Sequence, residues 1–178
     1  LDKPKLKGSH QIENAAVALA FAEIMKQKEI HLDFKKTKNA IRNTTWPGRL
    51  EILNYNNKKI ILDGSHNIEG ARKLNQFLKL QRLKPIVLFG MLNNKKIDQF
   101  LDLIKNQISS LLAIKIPEES NAFLSNEISK KCDVLSINNK EVKNLNEALK
   151  RIREANEEVI LVTGSLYLVG KIRNKFIN

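Results

Sequence analysis

The chain has a single cysteine, Cys132, among its 178 residues. A lone thiol excludes an internal disulfide and a cysteine-built zinc site, so a reducing, cytoplasmic setting is expected. No apolar run approaches the roughly 20 residues that a membrane-spanning helix needs, and no membrane partner is expected. The opening stretch LDKPKLKGSH carries neither the apolar segment of a secretory signal nor an initiator methionine, which points to a piece of a longer protein. Aromatic residues are few: seven Phe, two Tyr and one Trp, with none of the interleaving with basic residues that stacks nucleic-acid bases. No phosphate-cradling loop ends in Gly-Lys-Ser or Gly-Lys-Thr. Neither FGMLNNKK at 89–96 nor VTGSLYLVG at 162–170 has the three spaced glycines of a dinucleotide fingerprint. The three histidines, at 10, 31 and 66, lack metal-ligand spacing, and His31 reads as an exposed loop residue. Cys132 has no histidine beside it in sequence and reads as an ordinary buried or half-buried residue, not a nucleophile.

What is present describes a folded, soluble chain. Apolar residues make up 42% of it, well above the disordered class. The net charge of +12 invites a nucleic-acid reading, but 24 of the 31 basic residues are lysines spread along the chain among many Asn and Ile. All three residue types have A/T-rich codons, so a genome of low G+C content produces the same bias without a polyanionic partner. Nucleic acid is therefore not expected, and a stand-alone basic α/β module binding nucleotide or nucleic acid is kept as the rival reading.

Residues 11–28, QIENAAVALAFAEIMKQK, read as a helix apolar over most of its circumference, which calls for burial on more than one side. A second helix is predicted over 33–43 with Asp33 as its cap. Pro47 and Gly48 then break the pattern. LEILNY and KKIILDG flank Asn56-Asn57 and predict a hairpin. Beyond it helices and strands alternate: helices at 68–81, 95–107, 122–131, 144–155 and 165–175, strands at 85–90, 111–116, 133–137 and 158–164. Such alternation with uncharged strand centres predicts a Rossmann-like α/β domain, mostly parallel, entered through an antiparallel hairpin strand. The two helices of the first 45 residues cannot make a core alone and are expected to pack on something else.

Ligands of open parallel sheets bind at the carboxyl ends of the strands. Two polar loops stand there. In DGSHN at 63–67, Gly64 is expected to adopt a conformation that side chains resist and Asn67 to cap the next helix. The loop reads equally as a capping turn with an incidental histidine or as a ligand-facing turn. TGS at 163–165 offers Ser165 at a helix start, either as a plain cap or as part of an anion site.

Five stretches in order, GSHQIENAAVAL at 8–19, WPGRLE at 46–51, ILDGSHN at 61–67, a glycine followed by NNKK at 90–96 and VTGSLYLVG at 162–170, resemble the folylpolyglutamate synthase/dihydrofolate synthase family of the Mur ligase superfamily. The resemblance implies that residues 1–45 are the last helices of a central ATPase domain and 46–178 a Mur ligase C-terminal domain. It implies an ATP-dependent ligase that adds L-glutamate to dihydropteroate or to a folate's glutamate tail through an acyl phosphate. The cofactors would be ATP and magnesium, with the metal ligands in the upstream region and the chain inactive alone. By the same resemblance Asn14 contacts adenine, Arg49 the ATP phosphates and Asp63 the ribose, while His66, Ser165 and Lys95 lie at the incoming glutamate. Arg49 and His66 are the candidate catalytic residues. His10, Gln11 and Trp46 match the pattern and are expected to pack. Ser65 and Ile68 depart from the family's Asp-Gly-Ala-His-Asn-Pro, and Asn94 from the acidic residue often found before Lys95. Small-molecule substrates and a monomer are expected. A sister Mur ligase of cell-wall synthesis is the closer alternative.

Overall fold

The computed structural model describes residues 4–8, 10–28, 30 and 32–177, so His31 lies outside the described residues. Helices α1 (His10–Gln27) and α2 (Phe34–Asn43) precede the hairpin of β1 (Glu51–Tyr55) and β2 (Lys58–Leu62). There follow α3 (Ile68–Leu80), β3 (Ile86–Phe89), α4 (Ile97–Ile104), β4 (Ser110–Ala113), α5 (Ser125–Val134), β5 (Asn139–Glu141), α6 (Leu145–Glu154), β6 (Val159–Thr163) and α7 (Leu166–Ile177).

The hairpin closes as its two asparagines dictate. Asn56 and Asn57 sit at φ +47° and +60°, the paired left-handed conformation of a tight turn whose twist matches that of the strands. This sets the register that pairs Tyr55 with Lys58 and Glu51 with Leu62. Asp33 caps α2, its Oδ1 accepting the amides of Lys35 and Lys36 at 2.9 and 3.1 Å.

The sheet runs β1-β2-β6-β3-β4-β5, with β1 antiparallel to β2 and every other pair parallel. Alternation along each strand divides the core. Ile61, Val87, Phe89, Leu111 and Leu161 face α3, α4 and α5, whereas Ile60, Leu62, Leu88, Ile160 and Val162 face α6 and α7. The chain steps outward from β2 to β5 and then returns to insert β6 between β2 and β3. The order therefore reverses at β6, and such a switch point leaves a crevice beyond the strand ends.

One predicted strand is replaced. Residues 133–134 end α5, and the strand is Asn139–Glu141. Val134 is 85% exposed, so the apolar look of DVLSI does not reflect burial in a sheet. Ser136 at φ +57° turns the chain out of the helix, with Ile137 N–H bonded to Cys132 C=O at 2.9 Å. α5 also starts later than predicted, at Ser125. Cys132 is fully buried as expected, and burial, reinforced by the Asp133 carboxylate, pushes its thiol up to about 12.

Helix α1 buries only Gln11, Ala15 and Ala22, leaving Ile12, Val17, Phe21 and Ile24 exposed. Trp46, expected to pack, is 62% exposed. Among the described residues no helix is long and apolar enough to cross a membrane.

Candidate active site

Three adjacent strands, β2, β6 and β3, deliver their C-terminal loops to one place. The loop after β2 is DGSHN, whose Asn67 caps α3 by accepting the Gly70 amide at 2.8 Å. The loop after β6 is Gly164-Ser165, and Ser165, 3% exposed, accepts the Tyr167 amide on Oγ at 3.1 Å. The two loops are tied together, because Gly164 N–H donates to Ser65 C=O at 3.1 Å. Gly164 is at φ +99°, and an added Cβ would meet Gly90 C=O at 2.5 Å, so only glycine lets these strand ends approach.

The expected conformational role of Gly64 is corrected. Gly64 is not among the positive-φ glycines, and its requirement is for space: an added Cβ would lie 2.1 Å from Leu166 Cδ2. Its N–H donates to Gly48 C=O at 2.7 Å.

Asp63 is 5% exposed and has two backbone partners. Its Oδ1 accepts the Ser65 amide and its Oδ2 the Leu50 amide, both at 3.1 Å. Glu51 accepts the Gly48 amide at 2.9 Å and is gripped by Arg173 of α7 through Nε and a terminal nitrogen at 2.9–3.0 Å. Burial would raise the Glu51 carboxyl, but the Arg173 fork and the Gly48 amide outweigh it and hold it below the ordinary 4.5. Gly48 and Leu50 adopt φ +72° and +47°. The turn is thus pinned on both sides of Arg49, whose own side chain is exposed.

The six candidate residues fall into two cavities. A cavity of about 380 Å³ is lined by Asn14, Arg49 and Asp63, with His10, Gln11 and Lys73 among its other walls. Asn14 donates to Gln11 Oε1, and the Gln11 amide donates to His10 Nε2, each at 3.1 Å. An accepting Nε2 places the His10 proton on Nδ1. Burial first, then the Lys73 ammonium and Arg49, lower His10 below its ordinary 6.5, with Asp63 and Glu13 opposing. Gln11 is buried and His10 half-buried, as a packing role requires.

A second cavity of about 220 Å³ is lined by His66, Lys95 and Ser165 with Leu92, Leu166 and Tyr167. His66 Nδ1 donates to Gly64 C=O at 2.9 Å, so in the neutral ring Nε2 is the acceptor. Within DGSHN the residues alternate: Asp63, Ser65 and Asn67 line the larger cavity and His66 the smaller. Tyr167 and Leu92 were not singled out from sequence, since an aromatic and a leucine beside a strand end look like core. Lys73 was missed because a lysine on an amphipathic helix carries no signal of the cavity beneath it. Among the described residues no three His, Cys, Asp or Glu come together to hold a metal.

Residues 48–166 match the family described as Mur ligase, glutamate ligase domain. The chain is 28% identical over 180 residues to the dihydrofolate synthase/folylpolyglutamate synthase of Bacillus subtilis, covering 97% of this chain and 40% of that protein. It superposes on the folylpolyglutamate synthase of Thermotoga maritima with TM-score 0.78 and 29% identity, covering 98% of this chain and 40% of that one. Mycobacterium tuberculosis folylpolyglutamate synthase complexed with ADP gives TM-score 0.79 at 23% identity, over 97% of this chain and 41% of that one. The chain thus spans about two-fifths of the length of these relatives. With the matched segment running from the Gly48 turn through Ser165, the chain belongs to the Mur ligase family and carries its glutamate ligase domain.

Proposed function

We propose that this chain is the C-terminal part of an ATP-dependent ligase that adds L-glutamate to dihydropteroate or to the glutamate tail of a folate. The observation that supports it most is the sorting of six residues into two cavities on either side of one loop. Asn14, Arg49 and Asp63 take the nucleotide; His66, Lys95 and Ser165 take the amino acid. Residues 1–45 belong to the central ATPase domain and 46–178 to the ligase domain. The apolar face of α1, exposed here, is the surface that the rest of that domain covers.

In this reading a substrate carboxylate attacks the γ-phosphorus, ADP leaves, and an acyl phosphate forms. The glutamate amine then attacks the acyl carbon, phosphate departs and the amine gives up a proton. Arg49 suits the first step because a permanently charged planar fork follows charge spreading over the transferred phosphoryl oxygens. Its pinned turn means little reorganisation as that charge moves. Asp63 retains acceptor capacity on both oxygens for ribose hydroxyls, since among the described residues each oxygen takes a single backbone amide. In the smaller cavity Lys95 offers a cation to a carboxylate. Ser165, whose Oγ already accepts from Tyr167, keeps its hydroxyl proton to donate. His66, protonated on Nδ1, has Nε2 available to accept the proton the amine loses.

Magnesium would shield the transferring phosphates, and in this reading its protein ligands lie on the upstream part of the enzyme. The test is product analysis with the intact enzyme, ATP and L-glutamate, offered dihydropteroate or tetrahydrofolate. Glutamylated product and ADP are expected with at least one, and none from the 178-residue chain alone. Failure with both acceptors, or turnover by the isolated chain, sinks the reading.

A further inference from the structure

The larger cavity has two cations in its wall, Arg49 on the turn before β1 and Lys73 on α3. Lys73 follows the cap Asn67 by six residues, which sets it about 9 Å along the helix from the loop ends. In the proposed reading the ribose lies at those loop ends against Asp63, and the phosphates lie beside Arg49. Lys73 therefore stands at the other part of the cavity, towards the start of α1. Its field acts there: the ammonium bears on His10 more strongly than Arg49 does, and His10 lies one helical turn from Asn14. Among the described residues nothing else engages Lys73 firmly. Its ion pair with Glu69 is 3.6 Å long, Glu69 is 63% exposed and also faces Arg72 at 3.7 Å, and such surface pairs are worth little. The Lys73 side chain is itself 31% exposed and lies in the wall of the cavity.

Resting on the nucleotide assignment above, we propose that Lys73 is a nucleotide-binding residue of this chain, donating to the nucleoside end of ATP and not to its phosphates. Adenine ring nitrogens and ribose oxygens are acceptors that an ammonium can serve, and a donor held in a partly enclosed cavity is worth more than one in water. The contribution is the same whether one, two or three phosphates follow, because the contact precedes them.

The intact enzyme titrated with AMP, ADP and ATP tests this, comparing wild type, Lys73→Met, Lys73→Arg and Arg49→Ala. Lys73→Met is expected to weaken all three nucleotides by one common factor of about tenfold, the size of a single charge-assisted hydrogen bond, and Lys73→Arg to recover most of it. Arg49→Ala is expected to weaken ATP and ADP more than AMP. Wild-type affinities in Lys73→Met with weakened ATP in Arg49→Ala overturn the role of Lys73 and leave the nucleotide site standing. A loss confined to ATP and ADP in Lys73→Met overturns the nucleoside contact. Wild-type affinities in both variants overturn the nucleotide assignment itself.

Discussion

Asp63 Oδ2 accepts the backbone N–H of Leu50 at 3.1 Å across thirteen residues of sequence. The carboxylate at the end of β2 thereby fixes the residue next to Arg49, so a group expected to serve the nucleotide also builds the turn that presents the arginine. Replacing Asp63 by alanine orphans a buried amide, a loss of about 1–3 kcal/mol. Asp63→Ala is expected to lower the thermal midpoint and nucleotide affinity together, and Asp63→Asn, which keeps one oxygen acceptor, to lower both less. An unchanged midpoint in the alanine variant would show that the turn does not depend on this contact.

Glu51 and Arg173 lock the same turn to α7. The Glu51 carboxyl is held below 4.5 in the folded protein, so the unfolded chain binds the proton first as pH falls. The stability from this pair is fully present above about pH 4.5 and is lost as pH falls through the lower folded value. Denaturation midpoints from pH 6 down to 3, on a scale of about one ordinary carboxylate titration, are expected to fall more steeply in wild type than in Glu51→Gln. Parallel curves would remove the pair from the account.

Gly164 tests the junction of the two strand-end loops. A Cβ there meets Gly90 C=O at 2.5 Å and Phe89 Cε2 at 2.8 Å, in backbone already at φ +99°. Gly164→Ala is expected to cost at least about 1–3 kcal/mol by denaturant titration, since neither obstacle is a flexible chain end. Gly170→Ala, in open space, is the control and is expected to be neutral or slightly stabilising. Equal midpoints for the two variants would mean that the loops are not packed as described.

The hairpin, the parallel alternation and the two polar loops were legible because each rests on local chemistry. Two asparagines specify a left-handed turn, and short apolar runs between amphipathic segments specify buried strands. β5 was not legible: it is an edge strand of three residues, Asn139–Glu141, with no apolar periodicity, while the neighbouring Val134 and Leu135 mimic one. Gly64 was read for its backbone freedom, yet what it provides is room for Leu166, which only the packing of α7 reveals. The contacts of Asp63 with Leu50 and of Glu51 with Arg173 join residues far apart in sequence, and no local pattern announces them.

Steady-state kinetics of the intact enzyme carrying Arg49→Ala or Lys95→Ala bear most directly on the two-cavity account. Arg49→Ala is expected to depress turnover by about a hundredfold or more, as loss of a charge on a transferring phosphoryl group does, with the KM for glutamate little changed. Lys95→Ala is expected to raise the KM for glutamate by about tenfold or more with the KM for ATP near wild type. Defects that fall on ATP and glutamate alike in both variants, or wild-type constants in either, would contradict a division of substrates across the DGSHN loop.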